Sequence, residues 1–208
     1  MISYDKVIEN ASKIKERIGK IEYLPYRDLS CFHNKEIIHF GSGKVEKSNH
    51  QMIKEIASKV ISIDCDKDSG ADYATPKNAL QKETKKYDGL FSEHVIEHIP
   101  IQAVPEIFRD LRCLLNKDAE VILTIPNIYN FGAFFSNYEH VNFSPPDHIA
   151  SIIELEGFPC NKIFSWSKQR HVQRHSSLSE VEFFIANFLE KEFNLQLARF
   201  VTINLTAV

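Results

Sequence analysis

Two glycines spaced by one residue follow the apolar run Ile37-Ile38-His39-Phe40. The loop Gly41-Ser42-Gly43-Lys44 carries no Cβ at either glycine, so a ligand can lie against its backbone. It is no P-loop, because Ile38 and Val45 stand where that motif needs Gly and Ser/Thr, and the third glycine of a dinucleotide fingerprint is absent. A second loop opens with Asp64, directly after the β-branched run Val60-Ile61-Ser62-Ile63. A carboxylate at such a strand end can accept two hydrogen bonds from ribose hydroxyls, which suits a nucleoside. The alternative is an aspartate that only shapes its turn, where Asp66 and Asp68 also stand.

The densest run of titratable side chains is Glu93-His94-Val95-Ile96-Glu97-His98. Histidine changes charge near neutral pH, so His94, His98, His140 and His148 are candidate bases. His94, Glu97 and His98 stand at i, i+3 and i+4, and a helix would place all three on one face. Two imidazoles and a carboxylate there could ligate a divalent metal, with His140 as a fourth ligand. Downstream, Phe131, Phe134, Phe135 and Tyr138 could line an aromatic acceptor pocket or cover a sheet edge.

Regular elements must hold these loops. Val7, Ile8, Ala11, Ile14 and Ile18 recur at helical spacing and predict a leading helix over residues 3–18. Ser48 with Gln51 resembles a capping box that opens a helix running to Ser58. Strands are expected at 37–40, 60–63, weakly around Asp72, at 87–92 and at 120–125. Val104 to Leu115 has helical periodicity, and Asp147 to Glu156 is a helix closed by Gly157. The tail predicts an exposed loop over 167–177, a helix near 179–189 and final strands into Val208, with Trp166 in the core. Strands alternating with helices imply right-handed βαβ units and a mostly parallel sheet, whose ligands bind beyond the carboxyl ends of its strands.

Composition sets the outer limits. The 208 residues suffice for one domain, and 43% hydrophobic with 25% charged residues is ordinary for a globular protein. A net charge of −3 with scattered Lys and Arg gives no footprint for nucleic acid or an anionic membrane. The four cysteines form no Cys-x-x-Cys pair, so neither a zinc site nor a disulfide framework is expected. The start of the chain lacks a signal-peptide pattern, and no apolar run reaches the roughly 20 residues that span a bilayer. A soluble cytoplasmic protein is the expectation.

The segment from Tyr87 to Pro100 resembles the one that follows the fourth strand in class I methyltransferases dependent on S-adenosylmethionine (SAM). In order around it stand further likenesses: the Ile37 to Gly43 loop, the strand end at Asp64, Glu106 to Leu115, Ile122 to Asn127, His140 to Ser144 and Ile153 to Phe158. The resemblance covers about residues 36–160, after a helical extension over 1–35 and before C-terminal strands and a helix over 161–208. It implies an α/β, Rossmann-like doubly wound sheet, mostly parallel with an antiparallel C-terminal strand and helices on both faces. It further implies SAM as cofactor, held by Gly41, Ser42, Gly43 and Asp64, with Ser92 and Glu93 near its methionine part. His94 and His140 would face the acceptor, and a sugar or polysaccharide precursor is the acceptor that analogy suggests. Metal-free relatives carry the same Glu-His pair as an organiser of the loop, so no metal is expected. This chain departs from the pattern at His39, where an acid is usual, at Val45, where glycine is usual, and at Asp118-Ala119 in place of Gly-Gly. The first two departures leave room for a protein of this fold that binds or regulates without catalysis.

Overall fold

A computed structural model describes residues 2–19, 22–23, 28–45, 48–128, 139–166 and 200–208. Helix α1 (Tyr4–Ile18) starts where Ser3 caps it by accepting from the Lys6 amide, and it buries Val7, Ala11 and Ile14 along one face. β1 (Glu22–Tyr23), β2 (Glu36–Phe40), α2 (Ser48–Ile56) and β3 (Lys59–Ile63) follow. Next come α3 (Pro76–Lys82), β4 (Tyr87–Glu93), α4 (Val104–Leu114), β5 (Leu115–Pro126), α5 (Pro146–Glu154), β6 (Cys160–Trp166) and β7 (Phe200–Thr206). Single 3-10 turns lie at Ser30–Phe32 and Ile96–His98.

The seven strands form one sheet in the order β1-β6-β7-β5-β4-β2-β3. Every neighbouring pair is parallel except those of β7, which runs antiparallel to β5 and β6. Alternate residues of each inner strand feed two separate cores. Ile38, Leu90, Val121 and Leu123 join Phe108, Leu111, Ile149 and Ile153 of α4 and α5 on one face. Ile37, Phe91 and Ile122 join Phe32 and Ile53 of α2 on the other. Both faces are therefore covered, as a parallel sheet requires. Leu, Ile and Phe in these cores are almost all under a tenth exposed, and each buried side chain contributes roughly 1.5–3 kcal/mol of transfer free energy.

The leading helix is clamped onto α5. Ser151 donates to the Val7 carbonyl at 2.8 Å, Lys15 pairs with Asp147 at 2.8 Å, and Arg17 reaches both Glu154 and the Cys160 carbonyl. Among the described residues no helix is long and apolar enough to cross a membrane.

Several expectations need correction. The third strand near Asp72 is reduced to one bridge, Ile63 with Tyr73. The Asp72 carboxylate takes the Ser62 amide and hydroxyl, both at 2.8 Å, so a side chain occupies the place of ladder partners. The sequence reading missed α3, although Thr75-Pro76 is a cap followed by proline in the first turn, and Thr75 does accept from the Asn78 amide. The Gln51 side chain donates to the Val45 carbonyl at 3.0 Å, and the Ser48 side chain, the other half of the expected capping box, lies outside the described residues. β5 begins five residues early at Leu115, paired with Tyr87, before the register shifts at Gly89. In that irregular stretch exposed Asp118 adopts φ +64°, the left-handed conformation that the usual glycine would take freely. Its amide still reaches the Ala207 carbonyl at 2.7 Å, so the turn before the strand keeps its anchor. The aromatic cluster from Phe131 to Tyr138, the loop over 167–177 and the helix over 179–189 lie outside the described residues. So does the side chain of Trp166.

Candidate active site

The carboxyl ends of β2, β3 and β4 converge where the sheet order reverses, and the predicted loops sit there. Gly41 leaves β2 at φ +71° with its amide donating to the Ile63 carbonyl at 2.8 Å. Gly43 follows at φ +56°, and open space lies where its Cβ would be. Buried Ser42 sits between them. The Gly43 amide donates to Asp64 Oδ2 at 2.6 Å, while Asp64 Oδ1 accepts from the Asp66 amide at 2.9 Å. Each carboxylate oxygen has a second lone pair, so half-buried Asp64 keeps acceptor capacity toward a ligand after bracing both loops. Val45, in the usual glycine position, donates its amide to the Ser69 carbonyl at 3.0 Å and so adds to the clasp between the loops.

His39 does not stand in for the acid that its position usually holds. It is 1% exposed, its Nδ1 lies 3.0 Å from Nδ1 of buried His50, and the two rings are stacked with Phe91 alongside. One ring must donate and the other accept, so the bond fails if both nitrogens hold protons. Burial lowers the His50 pKa from its ordinary 6.5, Lys54 pushes the same way, and Asp72 opposes. The folded chain thus binds fewer protons there than the unfolded chain. The stability so gained is complete above the unfolded pKa and is lost as pH falls below it. We expect urea midpoints to be level above about pH 7 and to drop from about pH 6.5 toward pH 5, with a shallower drop in His50→Phe. Parallel curves for the two proteins would take His50 out of the account.

At the end of β4, Ser92 is 1% exposed and its Oγ has no hydrogen-bond partner among the described residues. Half-buried Glu93 is the strand's last residue. The chain then turns sharply at His94, which has φ +57° and donates its amide to the Thr124 carbonyl at 2.9 Å. A histidine in that conformation is strained, a feature that clusters at functional sites.

The helix expected to align His94, Glu97 and His98 is absent. Only a 3-10 turn spans Ile96–His98, and Ile99 is extended ahead of Pro100. That proline is the signal the periodicity argument overlooked, because the residue before proline avoids the helical region. The side chains nevertheless converge by another route. His94 Nδ1 lies 3.1 Å from Glu97 Oε1. The amides of Val141 and Asn142 both donate to the Glu97 carbonyl, at 2.8 and 3.0 Å, which brings His140 beside His98 with ring centroids 5.0 Å apart. His148 lies apart from this group, on α5 near Asp147 and the ring of Tyr4.

Two contributors lie inside the resembling segments but had no role assigned to them. Val95 packs its side chain against Gly41, which links the glycine loop to the histidine turn. Asn142 donates to the Ile96 carbonyl at 3.3 Å and accepts from the Ser144 amide, fixing the segment that carries His140.

No family model and no curated relative matches the chain. Solved structures do. A SAM-dependent methyltransferase from Archaeoglobus fulgidus superposes with a TM-score of 0.62 at 16% identity, over 96% of this chain and 92% of that one. One from Mesorhizobium loti gives 0.55 at 12% identity, over 85% and 92%. The 16S rRNA methyltransferase KamB gives 0.53 at 12% identity, over 90% and 98%. These neighbours share a frame with this chain. With its glycine loop, its braced aspartate and its reversed last strand, this chain has the fold of the class I SAM-dependent methyltransferases.

Proposed function

We propose that the chain transfers the methyl group of SAM to a small-molecule acceptor, with a sugar or polysaccharide precursor as the leading class. The observation that carries this reading is the Gly41–Gly43 loop braced on Asp64, with open space over Gly43 at the switch in strand order. The residues present fit the cofactor: an acid for ribose hydroxyls, a bare backbone for close approach, and the orphaned Ser92 Oγ at the end of β4. SAM when bound supplies an activated methyl group. The chain's own task is then alignment of the acceptor, which can lower the barrier by several kcal/mol, and removal of a proton where the acceptor is a hydroxyl. His94 suits that second task. Its Nδ1 can donate to Glu97 Oε1, which leaves the lone pair on Nε2.

A second reading is a protein of this fold that binds SAM without turnover. The burial of His39 against His50 favours it, because it withdraws the loop's usual acid. Calorimetric titration with SAM and with S-adenosylhomocysteine tests both. Micromolar binding of each, followed by methylation of a sugar or small-metabolite panel, is the expected result. Binding with no turnover across the panel favours the second reading, and no binding at millimolar ligand sinks both.

A further inference from the structure

We infer that Glu97, His98 and His140 form a site for a divalent transition-metal ion beside the cofactor loop, and that this ion takes a hydroxyl oxygen of the acceptor as a further ligand. One ligand atom from each of the three side chains lies within 4.8 Å of the others. Ion-to-ligand bonds of about 2.1 Å put tetrahedral neighbours about 3.4 Å apart, so the side chains close by up to about 1.4 Å on binding.

Glu97 decides the matter. It is 2% exposed, and its Oε2 has no hydrogen-bond partner among the described residues. A buried carboxylate oxygen without a partner is strongly disfavoured, and a cation on it removes the penalty. The other oxygen, Oε1, is already engaged by His94. His98 is oriented in the manner of a ligating imidazole: Nδ1 donates to the Glu139 carbonyl at 3.2 Å, which leaves the lone pair on Nε2. The two chain segments that supply the trio are joined by the Val141 and Asn142 amides on the Glu97 carbonyl. The site is thus assembled by backbone contacts and does not depend on an ion to bring it together. His94, proposed from spacing as a ligand, lies outside the trio and serves as the partner that orients Glu97.

Two imidazole nitrogens and one carboxylate oxygen suit Mn, Fe, Co or Zn better than Mg or Ca, and three protein ligands leave positions open. Val95 packs against Gly41 and His94 holds Glu97, so the trio stands next to the glycine loop. The acceptor half of the inference rests on the methyl-transfer reading. An ion acidifies a hydroxyl bound to it. The hydroxyl proton passes to His94 Nε2, and an oxygen lone pair forms the new bond to the methyl carbon. The carbon–sulfur bond breaks with its electron pair staying on sulfur, so the sulfonium becomes a thioether and no electrons enter or leave.

The test is titration of the chelator-treated full chain with Co2+, read by visible absorption and calorimetry. One equivalent should bind with the visible bands of a nitrogen- and oxygen-ligated site. Either His98→Asn or His140→Asn should weaken binding at least tenfold while circular dichroism stays unchanged, and Glu97→Gln should do the same wherever it folds. Absence of stoichiometric Co2+ binding at millimolar metal, or wild-type affinity in both histidine variants, overturns the site. Catechol, a simple vicinal dihydroxy probe, should shift the bands of the bound ion; unshifted bands overturn the acceptor half. SAM titration of the metal-free chain separates the two readings. SAM binding without Co2+ binding ends only the metal inference, whereas Co2+ binding without SAM ends the methyl-transfer reading and leaves the ion site standing.

Discussion

Gly41→Ala is expected to cut SAM affinity at least a hundredfold, which corresponds to about 2.7 kcal/mol or more. Two costs add. Gly41 has φ +71°, where a side chain costs roughly 1–2 kcal/mol. A Cβ placed there would sit 1.9 Å from Val95 Cγ2, far inside any real contact, and 3.1 Å from Val95 Cβ and Cγ1. The loop cannot swing away without losing the Gly41 amide bond to Ile63, and Val95 cannot move without dragging His94 and the turn after it. Calorimetric titration with SAM, alongside a urea melt to separate binding from folding, is the measurement. Val95→Ala added to Gly41→Ala removes the deepest overlap but leaves the backbone strain, so the double variant should recover part of the affinity. Near wild-type binding in Gly41→Ala alone would mean that the cofactor does not use this loop.

Asp64→Ala is expected to weaken SAM binding by tenfold or more, from lost hydrogen bonds to a charged acceptor worth about 1.5–3 kcal/mol. The structure adds a second reason. Asp64 holds the Gly43 amide on Oδ2 and the Asp66 amide on Oδ1, so alanine also releases the brace between the two loops. Asp64→Asn keeps one acceptor oxygen and should fall between the two. The same titration reads all three chains, and unchanged affinity in the alanine variant would remove Asp64 from the binding site.

How much of this was legible in the residues follows from the range of the forces concerned. Strands β2, β3 and β4 were readable because Ile37, Ile38, Val60, Ile61, Leu90 and Phe91 make them apolar on both faces, and that demand is local. Their ends were readable too, since Gly41 and Asp64 mark where a strand gives way to a loop. The strand near Asp72 was misjudged because a side chain, Asp72 onto Ser62, took over hydrogen bonds that composition assigned to a ladder. The histidine turn was misjudged in geometry, and yet Glu97, His98 and His140 converge. Spacing assumed a helix, whereas the contact with His140 is made by backbone bonds across some forty positions of sequence. His39 shows the same limit. Its departure from the usual acid was visible, but its burial against His50 depends on how α2 lies on the sheet.

The placement of β7 has a consequence for biosynthesis. Residues 200–206 are translated after every other described strand, yet they lie between β5 and β6. Until β7 docks, β5 and β6 each keep an edge that no other described strand pairs. Such edges invite pairing with other chains, and closing them needs contacts distant in sequence, which form slowly. The interval before β7 docks is therefore the stage of folding at which these edges are open to aggregation.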